Sequence, residues 1–241
     1  MRTALSRSPA RPPAVRRVAL GRPLPLVAAG PVLAPPFCWP NRAWNCARSA
    51  YRCRMKVPDS GMPEKNYWES LFDVSLVLDR LGVDQTVRNV AEMGCGYGTF
   101  TLPVARRVAG TVFTFDIEPA MAECTREQAT EARLDNVHPT LRDVLVHGFN
   151  LPSGSCDACL LFNILHFADP QALVAEAARV IGPGGRVLVM HWRSDIPTPR
   201  GPDIAVRPRP VQVQSWAAAV GLSTGLTLDL PPWHFGIVLS K

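Results

Sequence analysis

The stretch Val90–Thr99, with the sequence VAEMGCGYGT, places glycines at three alternate positions between a predicted strand and a predicted helix. Glycine adopts backbone conformations that other residues rarely reach, and it lets a ligand approach the main chain. The carboxylate of Glu92 precedes the first glycine by two positions. This acidic residue makes the pattern far more specific than an isolated glycine-rich turn.

Segments with strand and helix periodicity alternate on both sides of this turn. The predicted strands are 87–92, 111–116, 137–141, 158–162, 186–191, 223–230 and 234–239. The predicted helices are 66–81, 99–108, 119–133, 170–180 and 211–220. Such alternation indicates an α/β fold with a parallel sheet and helices on both faces. The last two strands are joined by a short connection, so we expect them to pair antiparallel.

Further polar residues follow the predicted strands. Asp116 ends the second strand, where a carboxylate can accept both hydroxyl hydrogens of an adenosine ribose. The alternative is that Asp116 caps the helix that begins near Pro119. Asp143 follows the third strand, and Asn163 and His166 follow the fourth. Because the carboxyl ends of parallel strands share one edge of a sheet, these residues form a candidate ligand site.

The pattern resembles the class I S-adenosylmethionine (SAM)-dependent methyltransferases, especially the small-molecule group called methyltransferase type 11. The resemblance covers about residues 85–192 and rests on the turn with its preceding acid, the acidic residues above, and the segments 151–166 and 178–185. It implies a Rossmann-like, seven-stranded, mostly parallel sheet with helices on both faces and an antiparallel last strand. It also implies SAM as cofactor and an in-line methyl transfer to a small-molecule acceptor.

The same resemblance assigns roles to individual residues. Asp116 is expected to bind the ribose, Asp143 the adenine amino group, and Asn163 to lie near the methionine part of SAM. The full set of expected cofactor-binding residues is Glu92, Gly94, Cys95, Gly96, Gly98, Asp116, Ile117, Asp143 and Asn163.

A general base is needed only if the acceptor arrives protonated, and His166 and His191 are the candidates, because both are predicted at carboxyl ends of strands. His166 has the alternative role of a packing residue beside SAM.

An Arg-rich loop follows His191, and its guanidinium groups suit an anionic acceptor unless the loop is simply a solvated surface. Its arginines are Arg193, Arg200, Arg207 and Arg209. No cluster has the spacing of metal ligands, so no metal is expected.

Other functions remain as alternatives. A non-catalytic protein of this fold that acts as an interaction module is one. A nucleic-acid methyltransferase is another, disfavoured because residues 163–166 lack the Asn/Asp-Pro-Pro-aromatic motif and residues 55–241 carry a net charge of −4. Cys156 and Cys159 form a C-x-x-C pair, but the i, i+3 spacing predicts opposite faces of a strand, which argues against redox or metal chemistry.

The first 54 residues differ from the rest of the chain. They contain ten Arg, nine Pro and no acidic residue, so we expect a disordered extension before a methyltransferase domain over 55–241. The extension has three interpretations: an organellar transit peptide, an export signal, or sequence upstream of a true start at Met55. We expect a cytoplasmic protein, or an organellar one if the extension is a transit peptide. No apolar stretch is long enough to span a membrane, and no nucleic-acid partner is expected.

Overall fold

The computed structural model describes residues 62–167 and 169–241, where strands and helices alternate along the chain. The strands are β1 (Val90–Met93), β2 (Val112–Asp116), β3 (Val137–Leu141), β4 (Cys156–Phe162), β5 (Ile181–Trp192), β6 (Ser223–Thr224), β7 (Leu228–Leu230) and β8 (His234–Ser240). The helices are α1 (Lys65–Glu69), α2 (Val74–Arg80), α3 (Thr101–Arg107), α4 (Pro119–Glu131), α5 (Val144–His147), α6 (Pro170–Val180) and α7 (Pro210–Ala219), with a 3-10 turn at Ile204–Val206.

All the described strands belong to one mixed sheet in the order β3-β2-β1-β4-β5-β8-β6, with β7 also paired to β8. Strands β1 to β5 are parallel, and β8 runs antiparallel to β5. This confirms the predicted α/β class, the mostly parallel sheet and the antiparallel last strand.

The sheet has eight strands rather than the expected seven, because the predicted strand 223–230 is interrupted. Thr224 pairs with Leu239, whereas Leu228 pairs with Gly236. The register therefore slips by one residue between the two pairs, as it does at a β-bulge. The extra residue breaks the ladder and separates β6 from β7.

Helices cover both faces of the sheet, because successive strand residues point to opposite sides. In β4, Leu160 packs in a cluster with apolar residues of α2 and α3, and its neighbour Leu161 packs with those of α6 and α7. Both leucines are fully buried. The continuous apolar run that predicted this strand is therefore explained by burial on both faces.

The predicted helix 66–81 is wrong as a single element, because the structure divides it into α1 and α2. The carboxylate of Asp73 accepts a hydrogen bond from the Leu76 N–H at 2.9 Å and starts a new helix there. The short helix α5 was not predicted. It begins where Asp143 accepts hydrogen bonds from the Leu145 and Val146 N–H groups.

The prediction that Cys156 and Cys159 point to opposite faces is also wrong. The pairing of β4 with β5 shifts between Cys156 and Ala158, and both cysteines pack in the same apolar cluster. Both are free thiols, and burial raises the pKa of each. A raised pKa disfavours the thiolate, so this arrangement does not suit redox or nucleophilic chemistry.

The proposed extension 1–54 lies outside the described residues. Within the part of the chain that the structure describes, none of the helices has the length and apolar character required to cross a bilayer.

Candidate functional site

A cavity of about 440 Å³ opens at the carboxyl ends of β1, β2 and β4. This is the edge of an open α/β sheet at which ligands usually bind. The predicted site residues that line it are Glu92, Gly94, Cys95, Gly96, Asp116, Ile117, Asp143, Asn163 and His166. Of the predicted site residues, Gly98 and His191 are not part of this lining.

The glycine-rich turn forms the floor of the cavity. Gly94 has a φ of 83°, and its N–H donates to the Phe115 carbonyl at 2.7 Å. A β-carbon at Gly94 would stand 3.5 Å from Ile164 Cγ2, a side chain that also lines the cavity. Gly98 has a φ of 76° and a packing role, because a β-carbon there would touch Leu102 and Thr125 at 3.4 Å.

Asp116 joins the turn to the following helix. One carboxylate oxygen accepts a hydrogen bond from the Gly96 N–H at 3.0 Å, and the other accepts one from the Glu118 N–H at 3.0 Å. The residue at the N-cap position of α4 is Glu118, so Asp116 is not the cap that the alternative interpretation predicted. Its carboxylate lines the cavity while holding the turn in place.

Glu92 is a buried carboxyl group beneath the turn, with 3% of its surface exposed. One of its oxygens accepts hydrogen bonds from the Thr101 and Thr114 hydroxyls at 2.6 and 2.7 Å. Burial raises its pKa to about 7, although the two threonine hydrogen bonds oppose that rise. A carboxyl group with a pKa near 7 loses its proton readily when a cation binds beside it, because the positive charge stabilises the carboxylate.

Three more predicted cofactor residues line the cavity. Asp143 caps α5, and Ile117 is 60% exposed. Cys95 is buried, with its sulfur 3.6 Å from an Asp116 carboxylate oxygen, and burial raises the pKa of its thiol. Cys95 therefore acts as a small apolar wall residue.

Asn163 and His166 occupy the opposite side of the cavity, after β4. Among the described residues, no hydrogen-bond partner lies near the buried Asn163 Oδ1, His166 Nδ1 or Thr99 Oγ1 atoms. All three residues line the cavity, and these buried atoms leave hydrogen-bonding capacity unused beside it. Burial lowers the pKa of His166, which favours its neutral form.

His191 lies behind His166 and is fully buried. The two imidazole rings meet edge to face, with 5.6 Å between their centroids. Burial lowers the pKa of His191 to about 3. The structure therefore places one of the two predicted bases at the cavity and the other in a supporting position.

The loop arginines do not converge on the cavity. Arg207 is buried, and its guanidinium donates to the carbonyls of Arg193, Arg200 and Pro202 and to the Thr198 hydroxyl. This side chain holds the loop together from within. No local pattern distinguished Arg207 from its neighbours, because three of its four partners are main-chain oxygens.

Arg193 forms two hydrogen bonds with the Asp195 carboxylate, at 3.0 and 2.7 Å, and lies 3.5 Å from Asp229. With Arg209 it borders a separate surface groove. Neither arginine is among the residues that line the cavity described above.

An N-terminal segment completes the cavity wall. Trp68 of α1 lines the cavity and packs edge to face on Phe72, with 4.9 Å between ring centroids. Met62 also lines it, and a β-carbon at Gly96 would come within 3.3 Å of the Met62 methyl. Tyr67, beside Trp68 in the sequence, is 43% exposed and lies outside the lining.

Sequence reasoning missed Thr101 and Thr114. Thr114 pairs with Glu92 across β1 and β2, which the strand order would have revealed. Within residues 62–167 and 169–241, no three His, Cys, Asp or Glu side chains are grouped so as to hold a metal ion.

Comparison with known proteins gives consistent results. Residues 91–189 match the family model described as a methyltransferase domain. Aklanonic acid methyltransferase DauC of Streptomyces sp. is 29% identical over 142 residues, which are 52% of this chain and 64% of that protein. Demethylmenaquinone methyltransferase of Thermus thermophilus is 31% identical over 123 residues, 50% of this chain and 53% of that protein. The chain thus spans about half to two thirds of the length of these curated relatives.

The fold also matches solved structures. A SAM-dependent methyltransferase from Aquifex aeolicus superposes with a TM-score of 0.65 at 19% identity, covering 80% of this chain and 97% of that one. At this identity the similarity shows the fold. Taken with the family model that matches residues 91–189 and with the named relatives, it makes this part of the chain similar to SAM-dependent methyltransferases.

Proposed function

We propose that the protein transfers the methyl group of SAM to a small-molecule acceptor bound in the cavity. The observation that carries this proposal is the meeting of the glycine turn with Glu92, Asp116 and Asp143 at one cavity. Two relatives whose names specify small-molecule acceptors support the acceptor class.

The residues present fit SAM. The ribose hydroxyls are donors, and the Asp116 carboxylate lies on the β2 side of the turn to accept them. The methionine part carries an ammonium group, and the β4 side offers the Asn163 Oδ1 atom, which has no partner among the described residues. Gly94 between them leaves open the space that a side chain would fill. We therefore assign the ribose to the β2 side and the methionine part to the β4 side.

SAM supplies an electrophilic methyl group, and the protein aligns the acceptor with it. Apolar walls that include Phe100, Phe162 and Phe167 limit the access of water. We assign His166 as the group that takes the acceptor proton, because it lines the cavity and its lowered pKa keeps it neutral near pH 7. His191 supports the His166 ring from behind.

We propose that the acceptor is uncharged at the reacting end. Arg142 is the cation that borders the cavity among the described residues, and its guanidinium donates to the main-chain carbonyls of His147 and Gly148. Arg193 and Arg207 are engaged in the loop. Two of the four arginines that suggested an anionic acceptor therefore have other partners.

Calorimetric titration of the full chain with SAM, S-adenosylhomocysteine (SAH) and NADH tests the proposal. We expect binding of the first two with a Kd on the order of micromolar, and no heat from NADH. A folded protein that binds neither adenosyl ligand would overturn the proposal and favour the non-catalytic interaction protein. Methyl transfer is then sought with radiolabelled SAM against a panel of phenols, quinols and amines.

Asp116→Ala is expected to weaken SAM binding by roughly 1–3 kcal/mol, because a charge-assisted hydrogen bond to the ribose is lost and the turn loses its tether. The matched control is Asp135→Ala, an exposed position before β3. Calorimetry on both variants makes the comparison. Equal affinity of the Asp116 variant and the wild type would remove this carboxylate from the cofactor site.

A further inference from the structure

Asn163 is held in an unusual backbone conformation at the end of β4. Its φ is 57°, in the left-handed region that asparagine tolerates better than most residues. Its N–H donates to the Met190 carbonyl at 2.8 Å, which ties this position to β5. The main chain therefore fixes where the amide side chain begins, and the orientation of the amide depends on its side-chain partner.

That partner is His234, the first residue of β8. The Asn163 Nδ2 atom lies 3.5 Å from His234 Nε2, across 71 positions of sequence. His234 pairs with Trp192 across β8 and β5, and only 1% of its surface is exposed. Its ring lies against Trp192 and Phe72, with centroids 4.1 and 4.9 Å away. Two aromatic neighbours thus hold the imidazole in place.

The hydrogen bond defines the state of both groups. The amide nitrogen donates, so His234 Nε2 accepts and the ring proton lies on Nδ1. Burial lowers the pKa of His234 to about 3, which keeps the ring neutral in this form. With its nitrogen engaged, the Asn163 amide leaves Oδ1 as its free end, and this buried atom has no partner among the described residues.

The position of the Asn163 Oδ1 atom indicates which part of the cofactor lies beside it. Strand β1 lies between β2, which carries Asp116, and β4, which leads to Asn163. An adenosyl ligand whose ribose meets Asp116 extends its amino-acid portion across the turn toward Asn163. The ammonium group is the hydrogen-bond donor of that portion, and a carbonyl oxygen accepts from it.

We propose that His234 is a positioning residue for the cofactor, which orients the Asn163 amide so that its oxygen accepts a hydrogen bond from the ammonium group of the methionine moiety. This assignment rests on the proposed function, because it requires SAM in the cavity. His234 does not itself touch the ligand. Its contribution is to present one end of the asparagine amide rather than the other.

Two ligands separate positioning from a general effect on the fold. SAH carries the amino-acid portion, and 5′-methylthioadenosine has the same adenosine thioether without it. We expect His234→Phe to weaken SAH binding roughly tenfold, the scale of a hydrogen bond to a charged group, while methylthioadenosine affinity stays within about twofold. His234→Gln keeps an acceptor oxygen and should restore much of the SAH affinity. His138→Phe, at an exposed position on β3, is the matched control.

A double-mutant cycle tests whether His234 acts through Asn163. Asn163→Gly suits the positive φ and removes the amide, so it should weaken SAH binding to a similar extent and leave methylthioadenosine unaffected. Adding His234→Phe to Asn163→Gly should then cause little further loss. Because Asn163→Gly does not disturb the aromatic cluster, it reports on the same bond even if His234→Phe destabilises the protein.

The outcomes are distinct. Equal losses for both ligands in His234→Phe, or additive effects in the cycle, would overturn the positioning role. Unchanged SAH affinity in Asn163→Gly would also overturn it, and would indicate that the amide oxygen contacts the acceptor rather than the cofactor. If the wild type binds neither ligand, the proposed function itself is wrong, and that result is visible before any variant is made.

Discussion

Replacing Glu92 by alanine is expected to lower the free energy of unfolding by roughly 3–5 kcal/mol. The Thr101 and Thr114 hydroxyls, both fully buried, would lose the oxygen that accepts their hydrogen bonds at 2.6 and 2.7 Å. The deleted atoms would also leave a void between β1 and α3. Urea unfolding, followed by circular dichroism, measures the loss.

Glu92→Gln is the control for this prediction, since it keeps the volume and an acceptor oxygen. We expect it to be far milder than Glu92→Ala. If the alanine variant lies within about 1 kcal/mol of the wild type, the threonine hydrogen bonds do not contribute to stability as we infer.

The glutamine variant also reveals the ionisation of Glu92. The folded-state pKa is raised to about 7 from 4.5, so the folded protein holds a proton more tightly than the unfolded chain. The resulting stability is fully present below pH 4.5 and is lost as the pH rises to about 7. The wild type should therefore lose stability relative to Glu92→Gln over this window, by an amount on the order of 1–3 kcal/mol. A constant difference across it would contradict the raised pKa.

Gly94→Val is expected to weaken SAH binding by roughly 1,000-fold, about 4 kcal/mol. The added β-carbon would stand 3.5 Å from Ile164 Cγ2, and the valine methyls would occupy the space between the turn and the loop after β4. The φ of 83° also strains any side chain at this position. Calorimetry gives the affinity and thermal unfolding the accompanying loss of stability.

Gly221→Val is the matched control for Gly94→Val. Gly221 has a φ of 79°, and a β-carbon there meets no described atom within 4 Å. It follows α7, away from the cavity, so it carries the backbone strain without the obstruction. A similar loss of affinity in both variants would show that general destabilisation, rather than a filled cavity, explains the effect.

The side of the cavity formed by the glycine turn and Asp116 was predictable because its signals are local. Glu92, the glycine turn and Asp116 each follow a strand directly, and parallel strands bring their carboxyl ends to one edge. Once the alternation of strands and helices was recognised, the cavity and its acidic lining followed from chain order alone.

The roles of the loop arginines and of the histidines were less predictable, because a sequence does not show whether a charged side chain already has a partner in the fold. Arginine often binds anions, yet the Arg207 guanidinium donates its hydrogen bonds to main-chain carbonyls of the loop. His191 was predicted as a base for the same reason as His166, because each follows a predicted strand. The structure buries His191 behind the His166 ring and leaves only His166 at the cavity.

The α/β class, the glycine turn and the carboxylates at the strand ends could be predicted from local sequence, since each depends on neighbours within a few residues. Which polar groups lack a partner within the protein depends on the folded arrangement of the strands. The irregular pairing of β4 with β5 between Cys156 and Ala158 accompanies the placement of Cys156 and Cys159 in one cluster, and the pairing of β8 with β5 brings His234 to Asn163. Both depend on strand register and on contacts between residues far apart in the chain, which local periodicity does not encode.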